Sequence, residues 1–280
     1  MSRSIECFYP GRSFPSISVT GSACSLDCKH CSRKYLESMI PATSPSDLTA
    51  VAEALAERGA RGFLLSGGVN AKGQVVLGSF IPAIREIKSS TDLKINAHIG
   101  LTPRKDLRAL VESGIDCFSV DIYGDDETIR DVLGLPAKAD EYLKVVEHLQ
   151  ELGANVSPHL CVGIHAGQLK GELTAISCIK KLRPRTMVVI SLIPTKGTRY
   201  QDVKAPDREM MLSVVRSARA QLPDTKILLG CMRSKYDRSY EFDLVEAGLD
   251  GIVLPATSSV ERLRAAGYSV RKRAECCALI

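Results

Sequence analysis

The sequence predicts a parallel α/β fold, a (β/α)8 barrel of the TIM type, from three observations. Eight short apolar or β-branched segments alternate with eight amphipathic helical segments. Glycines follow several helical segments, as helix ends commonly require; these are Gly59, Gly114, Gly153 and Gly248. A length of 280 residues suits a barrel of about 250 residues. A partial (β/α)6 barrel with terminal extensions is the alternative, because the last two strand segments are short.

The predicted elements follow one another without a linker. The predicted strands are 17–20, 62–66, 94–98, 116–122, 156–164, 188–193, 226–229 and 251–254. The predicted helices are 46–57, 80–88, 104–112, 139–152, 169–182, 208–221, 240–247 and 260–265. We expect one domain over 1–280, with an N-terminal arm at 1–15 and a cysteine-bearing tail at 268–280.

Composition excludes several classes of protein. With 45% hydrophobic and 25% charged residues the chain is typical of a globular protein, and no apolar run approaches the ~20 residues of a membrane helix. The first residues lack a secretory core, so we expect a cytoplasmic protein with no membrane partner. A net charge of +5, no tryptophan and few aromatics argue against a nucleic-acid partner. Ten cysteines indicate metal binding.

Three cysteines, Cys24, Cys28 and Cys31, directly follow the first predicted strand. Three thiolates are one fewer than a closed zinc site or an ordinary four-cysteine iron–sulfur cluster uses. A four-iron cluster held by three thiolates keeps one iron open, and an open iron can bind a substrate. The alternatives are a zinc site completed by His30, or unliganded thiols.

The Cys-x3-Cys-x2-Cys spacing resembles the signature of the radical S-adenosylmethionine (SAM) enzymes. The resemblance implies that Cys24, Cys28 and Cys31 are catalytic and hold a [4Fe-4S] cluster whose open iron chelates SAM. It further implies that an electron from the cluster cleaves SAM and releases a 5′-deoxyadenosyl radical.

Further motifs follow in the order of that superfamily. The stretch Ser66-Gly67-Gly68 resembles the glycine pair that holds the methionine amino group of SAM. On the third strand His98 shares a face with Asn96, so we expect it to face a ligand; a satisfied core histidine is the alternative. Asp121 resembles the acid on the fourth strand of biotin synthase-like proteins, where it would bind the ribose diol; the alternative is a cap for the next helix.

The fifth and sixth strands carry two more such elements. Gly163 and Ile164 resemble a Gly-Ile element that packs against adenine, and the interior glycine would leave room for a flat ring. The turn Lys196-Gly197-Thr198 resembles one found in biotin synthase. Together these motifs identify the chain, over roughly 15–200, as a member of the radical SAM superfamily.

The remaining cysteines suggest a branch of the superfamily. Cys161 matches one ligand of the sulfur-donating cluster of biotin synthase, but apolar or amide residues replace the others, which argues against biotin synthase proper. Lipoyl synthase holds an auxiliary cluster with segments outside its barrel. By that resemblance we expect a second [4Fe-4S] cluster on Cys7, Cys231, Cys276 and Cys277, with unliganded thiols as the alternative.

Segments 28–39 and 67–73 resemble the two-protein lipoyl synthases. The function predicted from this resemblance is sulfur insertion into an octanoyl chain on a lipoyl-carrier protein or lysine. It implies as partners an octanoylated lipoyl-carrier protein or peptide, a second radical SAM protein, and ferredoxin or flavodoxin as electron donor. The alternatives are a single-cluster mutase or lyase acting on an amino-acid-like substrate, similar to methylornithine synthase, and a non-catalytic iron–sulfur protein.

Overall fold

A computed structural model describes residues 3–280, in which eleven parallel strands form one sheet. The strands are β1 (Ser4–Phe8), β2 (Ser16–Ser18), β3 (Ile40–Pro41), β4 (Gly62–Ser66), β5 (Lys94–His98), β6 (Cys117–Asp121), β7 (Val156–Val162), β8 (Thr186–Ser191), β9 (Lys226–Leu229), β10 (Gly251–Val253) and β11 (Ser269–Arg273). Their order across the sheet is β11-β1-β10-β9-β8-β7-β6-β5-β4-β2-β3.

Nine α-helices lie within the described residues. They are α1 (Pro45–Glu57), α2 (Ile81–Ser90), α3 (Arg104–Val111), α4 (Asp126–Thr128), α5 (Ala139–Glu151), α6 (Glu172–Leu182), α7 (Arg208–Gln221), α8 (Glu241–Glu246) and α9 (Thr257–Ala265). Short 3-10 helices span Gly11–Ser13, Lys34–Ser38, Gly78–Phe80 and Cys277–Leu279, and a π-helical turn spans Ile129–Leu133. None of these helices, within 3–280, has the length and apolar character needed to cross a bilayer.

The predicted parallel β/α barrel is confirmed in its open form. All eight predicted strands and all eight predicted helices are present, and the eight strands lie side by side in chain order. Within the described residues the sheet does not close, and β3 and β11 are its two edges. It is therefore a half-barrel, as in the partial-barrel alternative, although it has more than six strands. The four glycines expected at helix ends all have positive φ, which residues with a Cβ rarely adopt.

Both terminal segments contribute a strand to the sheet. The sequence predicts only an arm at 1–15 and a tail at 268–280. Strand β1, within the predicted arm at 1–15, pairs with β10 on one side and β11 on the other. Residues 1 and 2 of that arm lie outside the described residues. A short strand next to a partner distant in sequence leaves no local pattern, because its pairing depends on the completed sheet.

The two faces of the sheet have different partners. On the convex face, alternate strand residues such as Phe63, Ile95 and Met187 belong to the main apolar core, together with the helices. On the concave face, the 3-10 helix Cys277–Leu279 packs against β6 and β8. The chain therefore folds its own C-terminus into the hollow of the half-barrel.

Candidate active site at the carboxyl ends of the strands

The cysteine loop follows β2 and brings two of its thiols and an imidazole together. The ligand atoms of Cys28, His30 and Cys31 all lie within 4.8 Å of one another. Cys28 is buried, and the Lys29 N–H donates to Val132 O at 2.8 Å, which ties the loop to the segment after β6. A hydrogen bond from Cys28 lowers the pKa of the Cys31 thiol and raises that of Cys28. A Cys31 thiolate is the form that binds a metal.

The third thiol of this loop lies against the glycine pair after β4. The Val69 N–H donates to Cys24 Sγ at 3.4 Å. A Cβ on Gly68 would lie 2.6 Å from the Cβ of Cys24 and 2.0 Å from the carbonyl oxygen of Ala23, so only glycine fits. The Gly68 N–H donates to Thr20 Oγ1 at 2.7 Å. The glycine pair therefore lies in direct contact with the cysteine loop.

His98 and Asp121 lie together on the concave face, as the alternation along β5 and β6 predicts. His98 Nε2 lies 3.5 Å from Asp121 Oδ1, and both side chains are about one-third exposed. Apart from this contact with Asp121, the buried Nε2 atom has no hydrogen-bond partner among the described residues. Asp121 does not cap a helix; Asp125 caps α4 by accepting from Thr128 N–H at 2.9 Å.

His98 and Asp121 each favour the charged form of the other. Burial alone would lower the pKa of His98, but the nearby Asp121 carboxylate raises it on balance. Burial alone would raise the pKa of Asp121, but His98 lowers it on balance. Burial and the neighbouring His98 lower the pKa of His159 to about 4, so His159 is neutral at pH 7. The concave face thus presents a carboxylate and imidazoles for hydrogen bonding to a ligand.

The predicted strand 156–164 has Gly163 in its interior, but β7 ends at Val162 and Gly163 follows it. Gly163 has φ of +71°, and a Cβ there would lie 2.3 Å from Pro206 Cγ, so the turn itself requires glycine. Its packing against adenine stays a prediction. Ile164 is 7% exposed in the main core. The buried Glu172 accepts from the Gly163 N–H at 2.7 Å and fixes this loop.

The C-terminal tail carries a second group of thiols into the concave face. The Asn96 side-chain amide donates to Cys276 Sγ at 3.5 Å, and Cys117 Sγ donates to Ala278 O at 3.1 Å. A hydrogen bond from the Cys277 thiol lowers the pKa of Cys276 to about 7, despite its burial. The nearby Cys276 charge also raises the pKa of the buried Cys277.

The predicted auxiliary set is brought together only in part. Cys231 follows β9 at the rim, and its thiol pKa is raised by burial and by Cys276. Cys7 is fully buried in the main core opposite Ile252, on the convex face, so the sheet separates it from Cys276. The expectation that Cys7 joins this set is therefore wrong. Cys161 shares the concave face of β7 with His159.

Three residues beyond the predicted set shape the site. Thr20 joins the glycine pair to the cysteine loop, because its Oγ1 also donates to Ala23 O at 2.8 Å. Glu172 holds the loop after β7, where its carboxylate also accepts from the Lys170 N–H at 2.6 Å. The short sequence Lys170-Gly171-Glu172 is the one local feature that could have indicated this role. Cys117 on β6 contacts the inserted tail, because its thiol donates to Ala278 O at 3.1 Å.

These residues fit an iron–sulfur cluster and SAM. All three thiols of the cysteine loop are free, and His30 Nδ1, within the described residues, is buried without a hydrogen-bond partner. The soft thiolate donors suit iron, and the glycine pair lies directly beside them. A zinc site on Cys28, His30 and Cys31 would leave Cys24 and the glycine pair unexplained.

Comparison with known proteins agrees with this assignment. The sequence profile of the radical SAM superfamily matches residues 18–167, more than half of the chain. The biotin synthase of Beijerinckia indica is 23% identical over 250 residues, which cover 84% of this chain and 75% of that protein.

Solved structures show the same fold. A crystal structure of HydG, a maturase of the [FeFe]-hydrogenase, matches 90% of this chain with a TM-score of 0.65 and 17% identity; this chain spans 57% of its length. Methylornithine synthase (PylB) matches 96% of this chain and 83% of its own with a TM-score of 0.64 and 15% identity. The profile match covers the cysteine loop, the glycine pair, His98, Asp121 and the loop after β7. The chain therefore belongs to the radical SAM superfamily.

Proposed function

We propose that this chain inserts sulfur into an unactivated C–H bond of an octanoyl chain carried by a lipoyl-carrier protein or peptide. The observation that carries the proposal is the second group of thiols in the half-barrel. The tail cysteines Cys276 and Cys277 lie on the concave face near Cys117, and Cys231 follows β9 at its rim. A second group of thiols suits a second iron–sulfur cluster as the source of the sulfur. The biotin synthase relatives support sulfur insertion as the reaction class.

Different residues of the site would bind the iron–sulfur cluster and SAM. Cys24, Cys28 and Cys31 would hold the [4Fe-4S] cluster, and the backbone after β4 would bind the methionine end of SAM. Bound together, cluster and SAM supply a 5′-deoxyadenosyl radical strong enough to remove a hydrogen atom from an alkyl chain. The Asp121 carboxylate would accept hydrogen bonds from the ribose diol of SAM, and His98, 3.5 Å away, would hold that carboxylate by its charge.

We propose a second [4Fe-4S] cluster on the tail group, with Cys117 as a ligand in place of Cys7. Four thiols are the usual complement of such a cluster. Two come from the barrel and two from the tail, so ligation would also fix the tail.

The partners follow from the same proposal. The net charge of +5 suits an acidic carrier domain that presents the octanoyl group. A second radical SAM protein and a ferredoxin or flavodoxin electron donor complete the set that the two-protein lipoyl synthases imply.

The test is anaerobic reconstitution with iron and sulfide, followed by metal analysis and incubation with dithionite, SAM and an octanoyl-lysyl peptide. We expect about eight irons per chain, formation of 5′-deoxyadenosine, and a peptide that has gained sulfur. Cys231→Ser and Cys276→Ser lose about four irons. Cys7→Ser, on the convex face, keeps the parent's iron and serves as the matched control.

Each other outcome identifies an alternative. About four irons in the parent chain, with 5′-deoxyadenosine but no sulfur gain, would indicate a single-cluster mutase or lyase. Iron without 5′-deoxyadenosine would indicate a non-catalytic iron–sulfur protein. Zinc on the cysteine loop would contradict the proposal entirely.

A further inference from the structure

The two edges of the sheet differ in how much backbone they offer to another strand. Strand β3 at one edge comprises only Ile40 and Pro41, and a two-residue strand with a proline leaves little to pair with. Strand β11 at the other edge has five residues and no proline, and it pairs with β1 over its whole length. No strand among the described residues pairs with its other side. Strand β11 is therefore the edge that can accept a further strand.

The backbone of β11 presents hydrogen-bonding groups to this free side. The Ser269 N–H and the Arg273 carbonyl bond to the residues on either side of β1, at 2.9 and 2.8 Å. The backbone groups of successive residues in a strand point in alternate directions, and each residue offers one donor and one acceptor. The N–H and carbonyl groups of Val270 and Lys272 therefore point away from β1.

The side chains of β11 carry an excess of positive charge on both faces of the sheet. Arg271 and Arg273 share the Glu6 carboxylate, at 3.6 and 2.9 Å, and their side chains are 62% and 47% exposed. Lys272 points to the opposite face, where its Nζ lies 6.0 Å from the centre of the Tyr9 ring. Within the part of the chain that the structure describes, these three consecutive cations have one carboxylate in ion-pair contact.

These charges select the kind of strand that can pair with β11. A second copy of β11 would place arginine and lysine side chains beside one another, and like charges on neighbouring strands are destabilising. An apolar strand would bond to the backbone but would partly desolvate the three cations without offering them partners. A strand with consecutive acidic residues would satisfy both the backbone and the cations, because a guanidinium binds a carboxylate through two hydrogen bonds.

We propose that β11 is a docking edge for an extended acidic segment of a partner protein. The segment adds a strand to the sheet and places consecutive carboxylates beside Arg271, Lys272 and Arg273. It lies at the open side of the half-barrel, where two residues separate β11 from Cys276 in the tail. The docking edge goes beyond the proposed function, because neither group of thiols takes part in it and it holds for any reaction at the site.

The test uses the reconstituted enzyme and three fluorescein-labelled heptapeptides, TVEEEVT, TVQQQVT and TVKKKVT, at low ionic strength. We expect fluorescence anisotropy to show binding of the acidic peptide, binding about tenfold weaker for the neutral peptide, and no binding of the basic one. Excess acidic peptide should slow hydrogen exchange in a fragment covering 268–274, because the outward amides become bonded. A fragment from α7 should exchange as it does without peptide.

Two substitutions separate the contribution of charge from that of strand pairing. Lys272→Glu should weaken binding of the acidic peptide about tenfold. Arg216→Glu, at an exposed position of α7, makes the same change in net charge and should bind as the parent does. Val270→Pro keeps all three cations but removes an N–H that points away from β1, a position where an edge strand tolerates proline. We expect it to weaken binding and to abolish the slower exchange.

Unchanged iron content and an unchanged unfolding midpoint show that a variant keeps its fold. The inference is overturned if the parent does not bind the acidic peptide, or if folded Val270→Pro binds it as tightly as the parent. Should Val270→Pro not fold, exchange in the parent decides the question, because binding without slower exchange of 268–274 would show a charged contact and no added strand.

Discussion

The side-chain amide of Asn96 donates to Cys276 Sγ at 3.5 Å, across a sequence separation of 180 residues. Asn96 Oδ1 in turn accepts from Ser119 Oγ at 2.9 Å, so two strands of the sheet orient the amide that holds the tail. This contact joins the two sites that we propose for SAM and for sulfur.

We expect Asn96→Ala to loosen the tail. Loss of a hydrogen bond worth about 1 kcal/mol would raise the open population about fivefold. Hydrogen exchange of a peptide covering 274–280 should be faster by that factor, while a peptide from α7 should exchange as in the parent. Equal exchange of the tail in both proteins would show that the contact does not hold it.

We expect Gly68→Ala to disrupt the cysteine loop. The new Cβ would lie 2.0 Å from Ala23 O, a backbone atom that cannot move without moving Cys24. Reconstituted protein should lose about four irons and form no 5′-deoxyadenosine. Gly78→Ala is the matched control, because no atom lies within 4 Å of its Cβ position. Full iron content in Gly68→Ala would contradict the close approach.

We expect Asp121→Asn to weaken SAM binding about tenfold, because a neutral amide is a poorer acceptor for a ribose diol than a carboxylate. Equilibrium binding of SAM to reconstituted protein measures this directly. Asp125→Asn changes the cap of α4 instead and should leave SAM affinity unaltered. If the two variants bind SAM equally, Asp121 has no part in the site.

We expect Asp116 to make stability depend on pH. Burial alone would raise its pKa, but hydrogen bonds from Lys88 at 2.7 Å, the Ile95 N–H and Lys94 lower it below 3.8 on balance. A pKa lowered by folding stabilises the protein above the unfolded value and loses that effect as pH falls through the folded one. Asp116→Asn should therefore cost about 1–3 kcal/mol of unfolding free energy at pH 7.

The difference between Asp116→Asn and the parent should diminish as pH falls below 3.8. Urea unfolding at several pH values measures it. Asp140→Asn is the control, because Asp140 pairs with Lys144 in a contact that is more than half exposed and should cost less than ~1 kcal/mol. A difference for Asp116→Asn that is constant across pH would contradict the lowered pKa.

Local sequence patterns predicted most of the strands and helices and the end of the sheet where the site lies. The alternation of apolar residues predicted eight strands and eight helices, and chain order placed Cys24, Gly68, His98 and Asp121 at one end of the sheet. These inferences hold because side-chain period and the direction of parallel strands are local properties.

Only the tertiary structure decided where the terminal segments lie. It placed β1 between β10 and β11, which puts Cys7 on the convex face, and it folded the tail against Asn96 and Cys117. It also formed the Arg233–Glu241 pair that holds Leu254. The face of a terminal strand and the partners of a tail depend on surfaces that exist only once the sheet has formed, so no local pattern in the sequence could show them.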